Sequence, residues 1–273
     1  MTMSHEKALA FRALHTAPGA FVIANAWDAG SAKLLAALGF PAIATSSGAS
    51  AGVLGRLDGQ VTRDEALAHA KAIVDAIPLP VSADLEKGFG DTVEAAADTI
   101  RRAAAIGLAG GSIEDATGDK ARPLIDIGLS TERIAAAAEA ARASGFPFVL
   151  TARTENYLRG NPDRDDTIRR LQAFAAAGAD VLMAPGLPDL DTVRAVCAAV
   201  SKPVNFMAGI PGKSFTVAAL AEAGVKRISL ATSLDRAAMS GLLAAATEVT
   251  EHGSFTYLDT LMPAPTWAKF MNG

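Results

Sequence analysis

The chain has 273 residues, half of them hydrophobic, with 25 Lys and Arg against 29 Asp and Glu and a net charge of −4. That length suits one large α/β domain, and the charge balance excludes nucleic acid or an anionic membrane as an expected partner. A single cysteine, Cys197, excludes an intramolecular disulfide framework and fits a reducing cytoplasm.

Residues 1–18 read as an amphipathic helix without the basic-then-apolar order of a signal peptide. No apolar run reaches the roughly 18 residues needed to span a bilayer. From there, short apolar strands alternate with longer segments of helical period. A strand over 21–25 precedes a helix over 31–38, and a strand over 42–46 precedes a helix over 63–76. The pairs 81–84 with 92–105, 111–114 with 131–143 and 148–154 with 165–177 follow. The chain closes its run with 181–184 and 190–200, 204–206 and 217–223, and 227–230 and 233–251. Ser31 and Thr131 read as N-caps, and Gly39, Gly107 and Gly178 as helix ends. Continuous apolar strands suit a parallel sheet covered by helices, and eight such units make a (β/α)8 TIM barrel the expected fold. Residues 1–273 are expected to form one domain, with 253–273 as a C-terminal helical tail.

In such a barrel the chemistry gathers at the C-terminal ends of the strands. The third strand runs into VSADLEKGFG (81–90), where Asp84 and Glu86 lie two apart with Lys87 beside them. Positions i and i+2 of an extended segment share a face, so both carboxylates can converge on one point. The fourth strand ends in Glu114 and Asp115, the fifth in Arg153 and Glu155, the seventh carries Asn205, and the first leads to Trp27. Oxygen-only ligands suit Mg²⁺, with Mn²⁺ as an alternative, and a divalent cation would remove the repulsion within Asp84, Glu86 and Glu114. The four histidines fall in helices or tails away from these ends, which gives them surface roles and supports no Ser-His-Asp arrangement. Cys197 lies on a helix, where packing is the expected role. GIPGKS (209–214) lacks the spacing of a phosphate loop.

Several stretches carry a resemblance to a known family: ANAWDAGSAKLLAALGF (24–40), IATSSGASAGVLGRLDG (43–59), VSADLEKGFGD (81–91), GGSIEDATG (110–118) and LTARTENY (150–157). With AGADVLMAPG (177–186) and GVKRISL (224–230), they extend over nearly the whole chain. In these the chain resembles the isocitrate lyase / phosphoenolpyruvate mutase superfamily. The resemblance implies a TIM barrel, a homo-oligomer (dimer or tetramer) with a C-terminal helix exchanged between subunits, and Mg²⁺ held by Asp84, Glu86 and Glu114, partly through water. It further implies that the Ser46 hydroxyl and the backbone N–H groups at Ser47 and Gly48 hold a substrate carboxylate, and that Trp27 walls the pocket. Arg153 would stabilise an enolate oxygen, Asp58 would stand near the metal, and Asn205 matches a family Asn on the seventh strand. Lys87 is the candidate acid/base.

The departures bear on substrate. The family's metal motif, Asp-x-Asp-x-Gly-[Tyr/Phe]-Gly, has Glu86 in place of its second Asp. The Lys-Lys-Cys-Gly-His loop of the C–C lyases is replaced by EDATGDKARPLID (114–126), and the sixth strand ends in Ala184-Pro185-Gly186 rather than in Glu or His. The phosphonate enzymes' Asn-rich gating loop is replaced by residues 53–59. What remains predicts a Mg-dependent lyase or decarboxylase acting on a small 2-oxo (di)carboxylic acid through a metal-stabilised enolate. A phosphonomutase or phosphonopyruvate hydrolase is the alternative, and a catalytically silent carboxylate-binding barrel the third reading.

Overall fold

A computed structural model describes residues 3–272; residues 1, 2 and 273 of the expected domain lie outside the described residues. The strands are β1 (Phe21–Asn25), β2 (Ile43–Ala44), β3 (Val81–Asp84), β4 (Gly110–Glu114), β5 (Val149–Arg153), β6 (Val181–Met183), β7 (Val204–Met207) and β8 (Arg227–Ser229). They pair in parallel in sequence order, and β8 closes onto β1. The fold is therefore the expected (β/α)8 barrel.

Two apolar clusters hold it. The larger lies between strands and helices, where Leu150, Phe206 and Ile228 meet Ile73, Ile100 and Phe174. The smaller joins Ile23, Val149 and Val181 to Ala8 and Phe11 of the N-terminal helix Met3–Leu14. Gly110 belongs there for a steric reason: a Cβ would stand 2.6 Å from the Val149 carbonyl oxygen and 2.9 Å from the Phe11 ring. Register carries the polar residues to one wall. Glu114 pairs with Arg153, Arg153 with Met183, Met183 with Asn205 and Asn205 with Arg227. Paired neighbours in a sheet share a face, so this row turns together toward the barrel interior.

Several local expectations change. β2 is two residues long because the chain turns at Ser46 into the short helix Ser47–Val53. Ser31 is not the cap of its helix. The helix Ala29–Ala37 starts from Asp28, whose carboxylate accepts the Ser31 N–H at 2.6 Å while the Ser31 hydroxyl accepts the Asp28 N–H. The helix expected at 131 begins at Ile127, because the Asp126 carboxylate already accepts the N–H groups of Gly128 and Leu129. Gly39, Gly107 and Gly178 do end helices, each with a positive φ. His15 is no surface residue: it is buried, packed edge-on against Phe11 and Phe21. His69 is half-buried and bonded to the Trp27 carbonyl and the Ser50 hydroxyl. Cys197 packs half-buried against the core, and burial pushes its thiol up to about 11, which leaves it inert at neutral pH.

The tail forms a short turn of helix over Thr256–Thr260 and the helix Ala264–Asn272, which lies against Ala29–Ala37. There the Lys33 ammonium donates to the Met271 carbonyl at 2.7 Å. No helix among the described residues is long and apolar enough to cross a membrane.

Candidate active site

At the C-terminal rim of the barrel, two cavities share Ser47, Asp58 and Arg153 in their walls. The first, of about 210 Å³, runs down the barrel past Ser46, Asp84 and Asn205. The second, of about 490 Å³, adds Glu86, Lys87, Glu114 and Arg159. Of the expected site residues, Trp27 and Gly48 line neither cavity. Trp27 stays half-buried beyond β1. Gly48 backs the wall instead, since a Cβ there would stand 3.1 Å from the Thr232 methyl and 3.6 Å from the Asp58 carboxylate.

Asp84 closes β3 facing the short helix. Its Oδ2 accepts the Ser47 N–H at 3.3 Å and the Ser47 hydroxyl at 3.1 Å, and its Oδ1 accepts the Glu86 N–H at 3.2 Å. The Thr45 hydroxyl accepts the Asp84 N–H, tying β3 to the end of β2. Glu86 then takes φ 49°, a left-handed backbone rare outside glycine, which ends the strand and turns the loop. The Lys87 ammonium leaves the centre for Asp91, at 2.5 Å, and the Thr117 carbonyl, at 3.0 Å.

Arg153 is the hub. Its Nε donates to Glu155 Oε1 at 2.5 Å and lies 3.4 Å from Glu114 Oε2, while Nη1 is 3.8 Å from Asp84 Oδ2. Burial alone would lower its pKa, but Glu114, Glu155 and Asp84 overrule burial and raise it, so the guanidinium stays charged. Glu155 is fully buried; its Oε2 faces Arg159 Nε at 3.0 Å without a well-aligned hydrogen bond. Arg159 also approaches Glu114 at 3.5 Å. Burial first, then Asp84 and Asp58, push Glu86 up to about 7. Burial, with Glu155 and Asp84 working against Arg153, pushes Glu114 up to about 8.

Asp84 thus lines the first cavity and Glu86 and Glu114 the second, with Arg153 in the wall between them; the described residues hold no ready-made cage of three metal-ligating side chains. Asn205 is buried, accepting from Arg227 Nε at 2.8 Å and donating to the Ser229 hydroxyl at 3.0 Å. Sequence reasoning passed over Arg133, which holds the acidic loop by donating to the carbonyls of Lys87, Gly90 and Thr92. It also gave Glu155 no role, although the i, i+2 spacing from Arg153 was a usable signal.

Residues 11–250 match the family model described as phosphoenolpyruvate phosphomutase. The chain is 33% identical to 2-methylisocitrate lyase of Escherichia coli over 73% of its length and 69% of that protein's. It is 32% identical to oxaloacetate decarboxylase of Ectopseudomonas mendocina over the same shares. A crystal structure from Burkholderia cenocepacia J2315, whose name places it among lyases and mutases without fixing a reaction, superposes with TM-score 0.97 at 50% identity. That match covers 100% of this chain and 98% of the other.

Proposed function

The chain belongs to the phosphoenolpyruvate phosphomutase family, and from that membership we propose that it is a Mg-dependent lyase or decarboxylase of a small 2-oxo dicarboxylic acid. The observation that carries this reading is Arg153, its side chain only 12% exposed and fixed by Glu155 at 2.5 Å, set among Asp84 and Glu114 at the wall shared by both cavities.

The donor set fits a divalent cation. Asp84, Glu86 and Glu114 offer only hard oxygens, and Mg²⁺ takes one or two carboxylates while keeping several waters, so no closed cage is needed. The raised pKa values of Glu86 and Glu114 mark a cost that a cation would relieve. Asp84, Glu86 and Glu114 would hold it, Asp58 would stand near it, and it would supply Lewis acidity for the negative charge that develops on a 2-oxo group.

The chain's own residues do the rest. The Ser47 N–H and hydroxyl, now donating to Asp84, are donors for which a substrate carboxylate competes, with the Ser46 hydroxyl beside them. Arg153 offers a fixed cation to the developing enolate oxygen, an electrostatic contribution that needs no reorganisation during reaction. The loop after β4 supplies neither Cys nor His, which suits loss of CO₂ from a β-keto acid, a step that needs no general acid. Protonation of the enolate then falls to solvent or to Lys87 once it leaves Asp91. Asn205 takes part only through the deeper polar layer.

The test is pyruvate release from oxaloacetate with Mg²⁺. Turnover should vanish with EDTA and with Asp84→Ala, and Arg153→Lys should lower kcat roughly 10²–10³-fold, as for loss of an oxyanion donor. Turnover indifferent to EDTA would overturn the reading. The family description favours P–C bond chemistry as the second reading; phosphorus NMR of phosphonopyruvate would reveal it.

A further inference from the structure

We propose that the floor of the barrel cavity, around Arg227, is a binding site for a small anion. Arg227 opens β8 and ends the inward-facing row that runs from Arg153 through Met183 and Asn205. It is only 5% exposed and lines the cavity that descends from Ser47 and Asp84. Among the described residues no carboxylate pairs with it, and burial pushes its pKa down to about 9. Every partner is neutral. Nε donates to Asn205 Oδ1 at 2.8 Å, Nη2 to the Thr151 hydroxyl at 2.9 Å, and Nη1 stands 3.4 Å from His15 Nε2. His15 pairs its Nδ1 with the Phe11 carbonyl at 2.9 Å, which makes Nε2 the acceptor, and burial with the nearby Arg227 charge holds its pKa down to about 3. A guanidinium has five N–H donors, so two remain unused here.

Arg153, at the rim, is surrounded by carboxylates; Arg227, at the floor, has none. A buried charge without a counter-ion is costly, and its neutral neighbours do not offset that cost. The space above it is also unusual. Barrel interiors are normally filled by branched Val, Ile and Leu. Here, beside Ile23, Met183 and Met207, the cavity wall includes Ala44, Ser82, Ser112 and Ser229, small side chains of which three offer hydroxyls, and the whole cavity from rim to floor holds about 210 Å³. Positive charge, spare N–H groups and hydroxyls together suit a small anion, a halide or a single carboxylate group. The source is either a free anion or a carboxylate of the bound substrate. The site stands whether or not the rim binds a metal.

The experiment is a bromide soak of wild-type crystals, read by anomalous scattering, with a thermal titration in which bromide replaces gluconate at constant ionic strength. The expected result is a bromide peak in contact with Arg227 and a saturable rise in Tm that Arg227→Gln abolishes. A peak displaced by oxalate assigns the site to a substrate carboxylate; a peak that persists assigns it to a free anion. No peak at Arg227 overturns the proposal, as does an equal Tm rise in folded Arg227→Gln protein. If that variant does not fold, the wild-type crystal decides alone.

Discussion

Two single residues govern how the interior is charged. Glu155 holds Arg153 from a fully buried position, so Glu155→Gln keeps the shape but removes the charge that fixes the guanidinium. Pyruvate formation from oxaloacetate should fall roughly 10–100-fold in kcat with KM little changed, the scale seen when a supporting carboxylate is lost. A larger change in KM than in kcat would place Glu155 elsewhere in the scheme. His15 gives the pH signature. Its folded pKa of about 3 lies below the ordinary 6.5, so the unfolded chain binds the extra proton between those values. Stability is therefore lost as pH falls from 6.5 toward 3, at up to about 1.4 kcal/mol per pH unit for one proton. Urea unfolding of His15→Gln should lack that slope, so its curve and the wild-type curve should converge toward acid; parallel curves would refute this. Asp84, Glu114 and Arg153 were legible in the sequence because each ends an apolar strand, where polarity stands out. Arg227 was not, because a cation at the start of a strand looks like a loop residue until the register turns it inward. His15 was misread because nothing in a helical period says that the end of a helix will plug a barrel.

At the scale of elements, the acidic loop after β3 is held from outside the barrel. Arg133, on the helix Ile127–Arg142, is buried and donates to the carbonyls of Lys87, Gly90 and Thr92. The loop needs such a pin, since Glu86 and Phe89 both sit at positive φ and Lys87 is drawn toward Thr117. Arg133→Met would leave those carbonyls without a protein donor, at a cost of about 1–3 kcal/mol in urea unfolding. Amide exchange should quicken most over residues 85–92, and a uniform rise across the chain would show a global rather than a local role. The eight strands were readable from sequence because buried parallel strands are apolar throughout. Boundaries were less so: Asp28 and Asp126 start their helices by accepting backbone N–H groups, and Ser31 and Thr131 imitate that chemistry a few residues too late.

For the whole molecule, the C-terminal region has more apolar surface than a lone chain needs. The helix Ser233–Thr247 buries no residue, yet Met239, Leu242 and Leu243 recur at helical spacing, 48–69% exposed. Phe255, Leu258, Leu261, Met262 and Trp267 continue the exposed apolar surface along the tail. Large apolar side chains left this exposed in such number point to an interface rather than a solvated face. The tail also reaches the first βα unit: the Trp267 ring lies 3.8 Å from where a Gly30 Cβ would stand, and Lys33 binds the Met271 carbonyl. Association through this surface would therefore bear on the end of β1, beside the rim. Light scattering of the wild type should report a dimer or tetramer, and Leu242→Glu with Leu243→Glu should shift it toward monomer without unfolding the barrel, since neither side chain is buried. A wild-type monomer at micromolar concentration would remove the need for the interface. If the double variant dissociates and loses turnover with Mg²⁺ present, assembly contributes to the site; if it dissociates and keeps turnover, each barrel is complete alone.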